Sequence, residues 1–195
     1  MRISKVSLGL ALIALGALAM RLVYLHQAEK SPFFDMPVVD ARGYVELARN
    51  LAGGGWQGYP MPFWQPPFYP YLLGAFFYLL GDNYYLPRLL QALAGAASCV
   101  LLFFLGRRVF SAAVGWAAAL GAALYGPLIY FQGELLPAVW GASANVIFLL
   151  ALLWAARSEG WKRWLVAGLA LGANALVVAN ILLFVPVAAL WACRF

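Results

Sequence analysis

Three acids and one arginine in this 195-residue chain stand where chemistry could be done. Asp40 opens the stretch Asp40–Leu51, whose apolar residues recur at helical spacing. Its carboxylate is placed to cap that helix by accepting backbone N–H bonds, or to act as general base toward an acceptor hydroxyl or amine; the two roles are compatible. Glu134 ends a long apolar run, between Gly133 and Leu135-Leu136-Pro137. A charge at such a boundary must face water or a partner, so Glu134 is either functional or an interfacial carboxylate reaching for solvent. Arg88 follows an Asp82-Asn83 turn, and either pairs with Asp82 or holds a phosphate through bidentate hydrogen bonds. Asp35 lies five residues before Asp40 across Pro37, a pair that could share a divalent metal, with no further ligand to identify one. His26, the one histidine, reads as a surface residue. Cys99 and Cys193 suggest neither a bridge nor a metal site. There is no phosphate-binding glycine loop, no paired-cysteine metal motif and no Ser-His-Asp set.

The setting for these residues is apolar. Hydrophobic residues make up 65% of the chain and charged ones 10%, where a soluble domain carries about 25% charged residues. Mean hydropathy is +0.83. Aromatics at 16% exclude a disordered chain. The expected class is all-α, a polytopic transmembrane helical bundle, read as one module over residues 1–195. The net charge of +6 is then a question of which connections hold the basic residues, not a nucleic-acid signal.

Val6–Leu25 is long enough for one span. A cleaved signal peptide ending near Ala17-Leu18-Ala19 is the competing reading; the apolar stretch resumes after Arg21, which favours an uncleaved anchor. Residues 26–85 form a long first outer loop with juxtamembrane helices. Residues 26–66 of it are polar and proline-rich, and loops of that length are usually functional. Within it Ala41, Tyr44, Ala48 and Leu51 share a face while Arg42, Glu46, Arg49 and Asn50 point elsewhere, an amphipathic helix suited to the membrane interface that Gly53 stops. After Pro70 the apolar run is only about ten residues, too short for a span and suited to a re-entrant or interfacial helix.

Charge tests that topology. The remaining apolar segments are 86–105, 112–131, 136–156 and 164–191. If residues 68–80 do not cross, Arg107, Arg108, Arg157, Lys162 and Arg163 fall inside, as the positive-inside rule requires, and six of the seven acids fall outside, all but Glu159. The last segment, interrupted by Asn174, Asn180 and Pro186, is one tilted helix or, preferably, a hairpin.

The run Ser31-Pro32-Phe33-Phe34-Asp35-Met36-Pro37-Val38-Val39-Asp40-Ala41-Arg42-Gly43-Tyr44, followed by Gly53-Gly54-Gly55, resembles the first outer loop of GT-C fold membrane glycosyltransferases, in particular the protein-mannosyltransferase-like proteins of glycosyltransferase family 39. Gln65-Pro66-Pro67-Phe68-Tyr69-Pro70, Pro87-Arg88-Leu89-Leu90-Gln91, Gly106-Arg107-Arg108-Val109-Phe110 and Gly133-Glu134-Leu135-Leu136 agree in order. The resemblance implies a transferase that takes a sugar from a polyprenyl-phosphate carrier on the extracytoplasmic face of a bacterial plasma membrane. It implies that Asp40 is the essential carboxylate, with Tyr44 four residues later, and that Glu134 stands where the family has a second outer acid. Ala41 and Gly43 depart from the related aminoarabinose transferases, and Gln65 replaces a residue charged in some branches, which leaves donor and acceptor contacts open. Tyr44, Arg88 and Gln65 are the candidate substrate-binding residues. Family members usually run through several more spans, so the chain is expected to be the N-terminal part of a longer enzyme. The rival class is a non-catalytic lipid-carrier flippase or assembly subunit. Such a protein is expected to place polar groups mid-membrane, where Ser98, Asn145, Asn174 and Asn180 are the candidates and none is charged.

Overall fold

The computed structural model describes residues 5–55, 65–157 and 160–192. All regular structure among them is helical: α1 (Lys5–Ala28), α2 (Val39–Ala52), α3 (Phe68–Leu80), α4 (Tyr85–Val109), α5 (Ala112–Leu124), α6 (Gly126–Gly133), α7 (Ala138–Ala155), α8 (Trp161–Val177), a 3-10 segment (Ala179–Phe184) and α9 (Val185–Ala192). Three of these, α1, α4 and α7, are long and apolar enough to cross a membrane, and α5 with α6 makes a fourth candidate bent by 51°. The chain is a helical membrane bundle, with α4 at its centre against α1, α5, α6 and α7.

The bend has a chemical cause. Pro127 has no N–H to offer Ala123 and cannot continue a helix from α5; Tyr125 is extended, with ψ 106°. The segment expected as continuous over 112–131 is therefore two helices. At the other end of α5, Ser111 caps the helix by accepting from the Val114 N–H at 3.3 Å. Gly115 lets α5 lie directly on α4: a Cβ there would meet the Phe103 carbonyl oxygen at 2.6 Å.

α3 does not traverse the bundle. Its first turn touches Trp140 and Gln91, and its last touches Tyr84. These contacts all belong to one end. α2 packs on α3 there through Ala41, Tyr44, Val45, Ala48 and Leu51, all buried, as the helical spacing requires. Arg42 and Glu46 pair on the exposed face at 2.7 Å. The expected capping role of Asp40 is not realised. Val38 occupies the N-cap position and no side chain caps the helix. Val39, at φ 51°, turns the chain into α2, so Asp40 falls inside the first turn, where a carboxylate is still favoured by the helix dipole.

Past α8 the chain turns back at Val178. Trp164 and Trp191 share one cluster with Phe148, and Ile181 joins Ala170 and Leu171 in it. The C-terminal apolar stretch is thus a hairpin rather than one tilted helix. The connections α1–α2, α3–α4 and α6–α7 meet at one end, which carries Glu29, Asp35, Asp40, Asp82 and Glu134. Arg107, Arg108, Arg157, Lys162 and Arg163 gather at the other. These are called the acidic and basic ends below.

Candidate active site at the acidic end

A cavity of about 480 Å³ opens at the acidic end between α1, the α1–α2 connection, α4 and the end of α6. Arg88 and Glu134 both line it. Arg88 is buried, 2% exposed, one turn into α4. Its Nε donates to the Gly133 carbonyl at 2.7 Å and its Nη1 to the Tyr84 carbonyl at 3.3 Å. The Phe34 ring lies over its guanidinium, 4.0 Å from centroid to Cζ. Nη2 makes no hydrogen bond to a described residue. The expected alternative partner is corrected: Asp82 pairs with Arg49 at 2.7 Å, not with Arg88. Glu134 and Asp35 are the acids whose charge bears on Arg88, yet neither approaches within ion-pair distance. Arg88 therefore lines the cavity with Nη2 uncommitted, while Nε holds the end of α6 and Nη1 the entry to α4.

Beneath the cavity lies a polar layer that reading the sequence missed. Gln91, one turn further along α4, donates to the carbonyls of Gln132 at 2.6 Å and Glu134 at 2.7 Å. Its Oε1 accepts from the Tyr69 hydroxyl at 2.7 Å. Arg21, buried in α1, donates through Nε to Gln132 Oε1 at 2.9 Å. It also donates to the Ala122 and Ala123 carbonyls at 3.4 Å, the acceptors released by the break before Pro127. A freed carbonyl inside a bilayer needs a donor, and Arg21 supplies it. Two signals were legible: a charged residue inside an apolar span, and Gly126-Pro127 inside the third one. Arg21 also corrects the expectation that no charged group lies mid-bundle. Of the other polar residues there, Ser98 pairs with Ser143 at 2.6 Å and Asn174 donates to Asn145 at 2.8 Å, while Asn174 Oδ1 is buried without a partner among the described residues.

Asp40 is exposed on the first turn of α2 and does not line the cavity. Tyr44, one turn on, is buried and meets the Tyr69 ring edge-on at 5.2 Å. Burial pushes the Tyr44 phenol above its usual range, and the Asp40 charge adds to that. Burial pushes Tyr69 well up, against the pull of Arg88. The α2 helix that carries Asp40 is thus linked to the Glu134 backbone through Tyr44, Tyr69 and Gln91. Gln65 is buried just before α3, with residues 56–64 outside the described chain. The Asp35–Asp40 pair acquires no third ligand: among the described residues no three His, Cys, Asp or Glu gather as a metal site.

Comparison with protein families finds that residues 64–194 match the dolichyl-phosphate-mannose-protein mannosyltransferase family. The chain belongs to that family. Membership makes it a membrane glycosyltransferase of the kind that draws on a polyprenyl-phosphate-linked sugar. Gln65, Arg88 and Glu134 lie inside the matched stretch, whereas Asp35, Asp40 and Tyr44 precede it. No curated protein and no solved structure matches.

Proposed function

We propose that the chain transfers a sugar from a polyprenyl-phosphate donor to an acceptor on the extracytoplasmic face, at the Arg88–Glu134 cavity. The observation that carries this reading is Arg88, with Nη2 uncommitted among the described residues, lining a cavity that it shares with Glu134. A phosphate is the group that such a guanidinium recognises. Segregation of basic residues to the opposite end supports the assignment of sides. In this scheme the isoprenoid lies along the apolar helices and its phosphate faces Arg88. Asp40, which α2 carries outside the cavity, is brought to its mouth by a shift of α2 and there takes the proton of the acceptor nucleophile as the nucleophile's lone pair bonds to the anomeric carbon. The bond from that carbon to the phosphate oxygen breaks, and its electron pair leaves with the lipid phosphate. Attack opposite the leaving group inverts the anomeric centre. Arg88 stabilises the charge that develops on the departing phosphate. Glu134 faces the sugar beside it, and Tyr44 and Gln65 border the acceptor side.

The test is sugar transfer from radiolabelled polyprenyl-phosphate mannose in membranes. Asp40→Asn is expected to lose about 10²–10⁴-fold, the range for a positioned base, while retaining its fold. Glu134→Gln and Arg88→Lys are expected to lose activity as well. Full turnover in Asp40→Asn removes the base assignment. Sidedness is checked separately by impermeant thiol labelling of single cysteines at positions 40 and 134; opposite sides refute a single site.

A further inference from the structure

A second cavity, of about 310 Å³, lies at the basic end and is lined by Phe104, Arg107, Arg108, Leu150 and Arg157. Three guanidinium groups thus converge from the last turn of α4 and the residues that end α7. Among the described residues none of them has an acidic partner. The ion pairs found, His26–Glu29, Arg42–Glu46 and Arg49–Asp82, all lie at the acidic end. Arg108 donates from Nη2 to the Leu153 carbonyl at 3.0 Å, but its Nε is buried with no partner among the described residues. The charge that bears on it is the like charge of Arg157. Three like charges lining one cavity and a buried donor left over among the described residues both call for an anion.

Position and lining say which one. Arg88 and Arg108 are twenty residues apart on one helix, about 30 Å, which is the hydrocarbon thickness of a bilayer. The cluster therefore sits at the opposite headgroup level. Phe104 is 43% exposed and faces outward beside the arginines, so the cavity has an apolar flank as well as a cationic floor. We propose that Arg107, Arg108 and Arg157 form a binding site for the phosphate of an anionic bilayer lipid, whose acyl chain lies against Phe104 and Leu150. The bound phosphate ties the end of α4 to the end of α7. The same fork geometry would accept a free phosphate, and the experiment separates the two sources.

The purified full chain, delipidated in detergent, is titrated with short-chain phosphatidylglycerol, phosphatidylcholine or inorganic phosphate, and bound ligand is counted by native mass spectrometry. Phosphatidylglycerol is expected to bind with one equivalent at least about tenfold tighter than phosphatidylcholine. Arg108→Gln/Arg157→Gln is expected to lose about tenfold or more, and Arg163→Gln, which removes a cation stacked on Trp154 outside the cavity, to lose nothing. Arg157→Gln alone alters an exposed side chain and keeps the test valid should the double variant fold poorly; it is expected to lose several-fold. Inorganic phosphate binding as tightly as the lipid, with the same variant losses, sustains the anion site and makes its source the free ion. Equal binding of both lipids without phosphate binding, or unchanged binding in folded variants, overturns the proposal.

Discussion

Replacing Gln91 by Leu tests whether the buried polar layer holds the site end together. The swap roughly keeps side-chain volume but removes three hydrogen bonds, to the Tyr69 hydroxyl and to the carbonyls of Gln132 and Glu134. Side-chain hydrogen bonds within membrane bundles are worth about 0.6–1.7 kcal/mol each, so the three together amount to about 2–5 kcal/mol. At about 2–4 °C per kcal/mol for a chain of this size, Tm should fall by roughly 4–20 °C. Cys99 is free and 1% exposed, so it supplies the assay: in a Cys193→Ser background, a thiol-reactive dye reports unfolding in detergent. The sign of a second substitution makes the test sharper. Tyr69→Phe alone strands Gln91 Oε1 and should cost about 1 kcal/mol. In the Gln91→Leu background the same change removes a hydroxyl that already lacks its partner, so it should be neutral or stabilising. A Tm within 2 °C or so of wild type for Gln91→Leu, or an equal Tyr69→Phe cost in both backgrounds, refutes the network.

Pro127→Ala should leave the bend between α5 and α6 in place. The new N–H gains about 1 kcal/mol, against three bonds from Arg88 and Gln91 that hold carbonyls 132–134; spin labels at Phe131 and Leu79 would show a shift of about 10 Å if the eight-residue α6 straightened instead. Gly115→Ala should destabilise by about 1–3 kcal/mol through overpacking, because the new Cβ meets the Phe103 carbonyl and the Arg107 N–H rather than a flexible side chain; an unchanged Tm refutes the close approach. The raised Tyr44 and Tyr69 phenols set a pH dependence. Folding favours the protonated phenol, so this stability is fully present below about pH 10, the unfolded value, and is lost as pH rises toward the higher folded values. Alkaline titration at the tyrosinate band should show late-ionising tyrosines, of which Tyr69→Phe removes the latest and leaves Tyr44.

Local chemistry carried much of the fold in plain view. The spacing of Ala41, Tyr44, Ala48 and Leu51 is that of the buried face of α2, and the ten apolar residues after Pro70 were too few for a span. Charge placed the five basic residues at one end before any contact was known. Asp40 failed as a cap because the turn into α2 is made by the backbone at Val39, and nothing in a valine announces a positive φ. The contacts among Arg21, Gln91 and Gln132 were illegible for a different reason. Each residue reads alone as an interruption of an apolar run, and the three come within hydrogen-bond reach only because α1, α4 and α6 converge.

That layer also bears on the proposed sharing of one reaction by Asp40 and Glu134. Asp40 stands outside the cavity on the amphipathic α2, and Glu134 stands inside it at the end of a broken span. No contact joins them directly. Tyr44 and Tyr69 pack edge-on, Tyr69 holds Gln91, and Gln91 holds the Glu134 backbone. A shift of α2 along the interface therefore pushes on an aromatic pair before it reaches the α6–α7 junction. Because Gln91 also grips Gln132, which Arg21 pins to α1, the junction is held from two sides. In the reaction proposed above, Asp40 on α2 is accordingly the carboxylate that has to approach, and Arg88 and Glu134, tied in through the Gly133 carbonyl and Gln91, are the floor proposed to receive the donor phosphate.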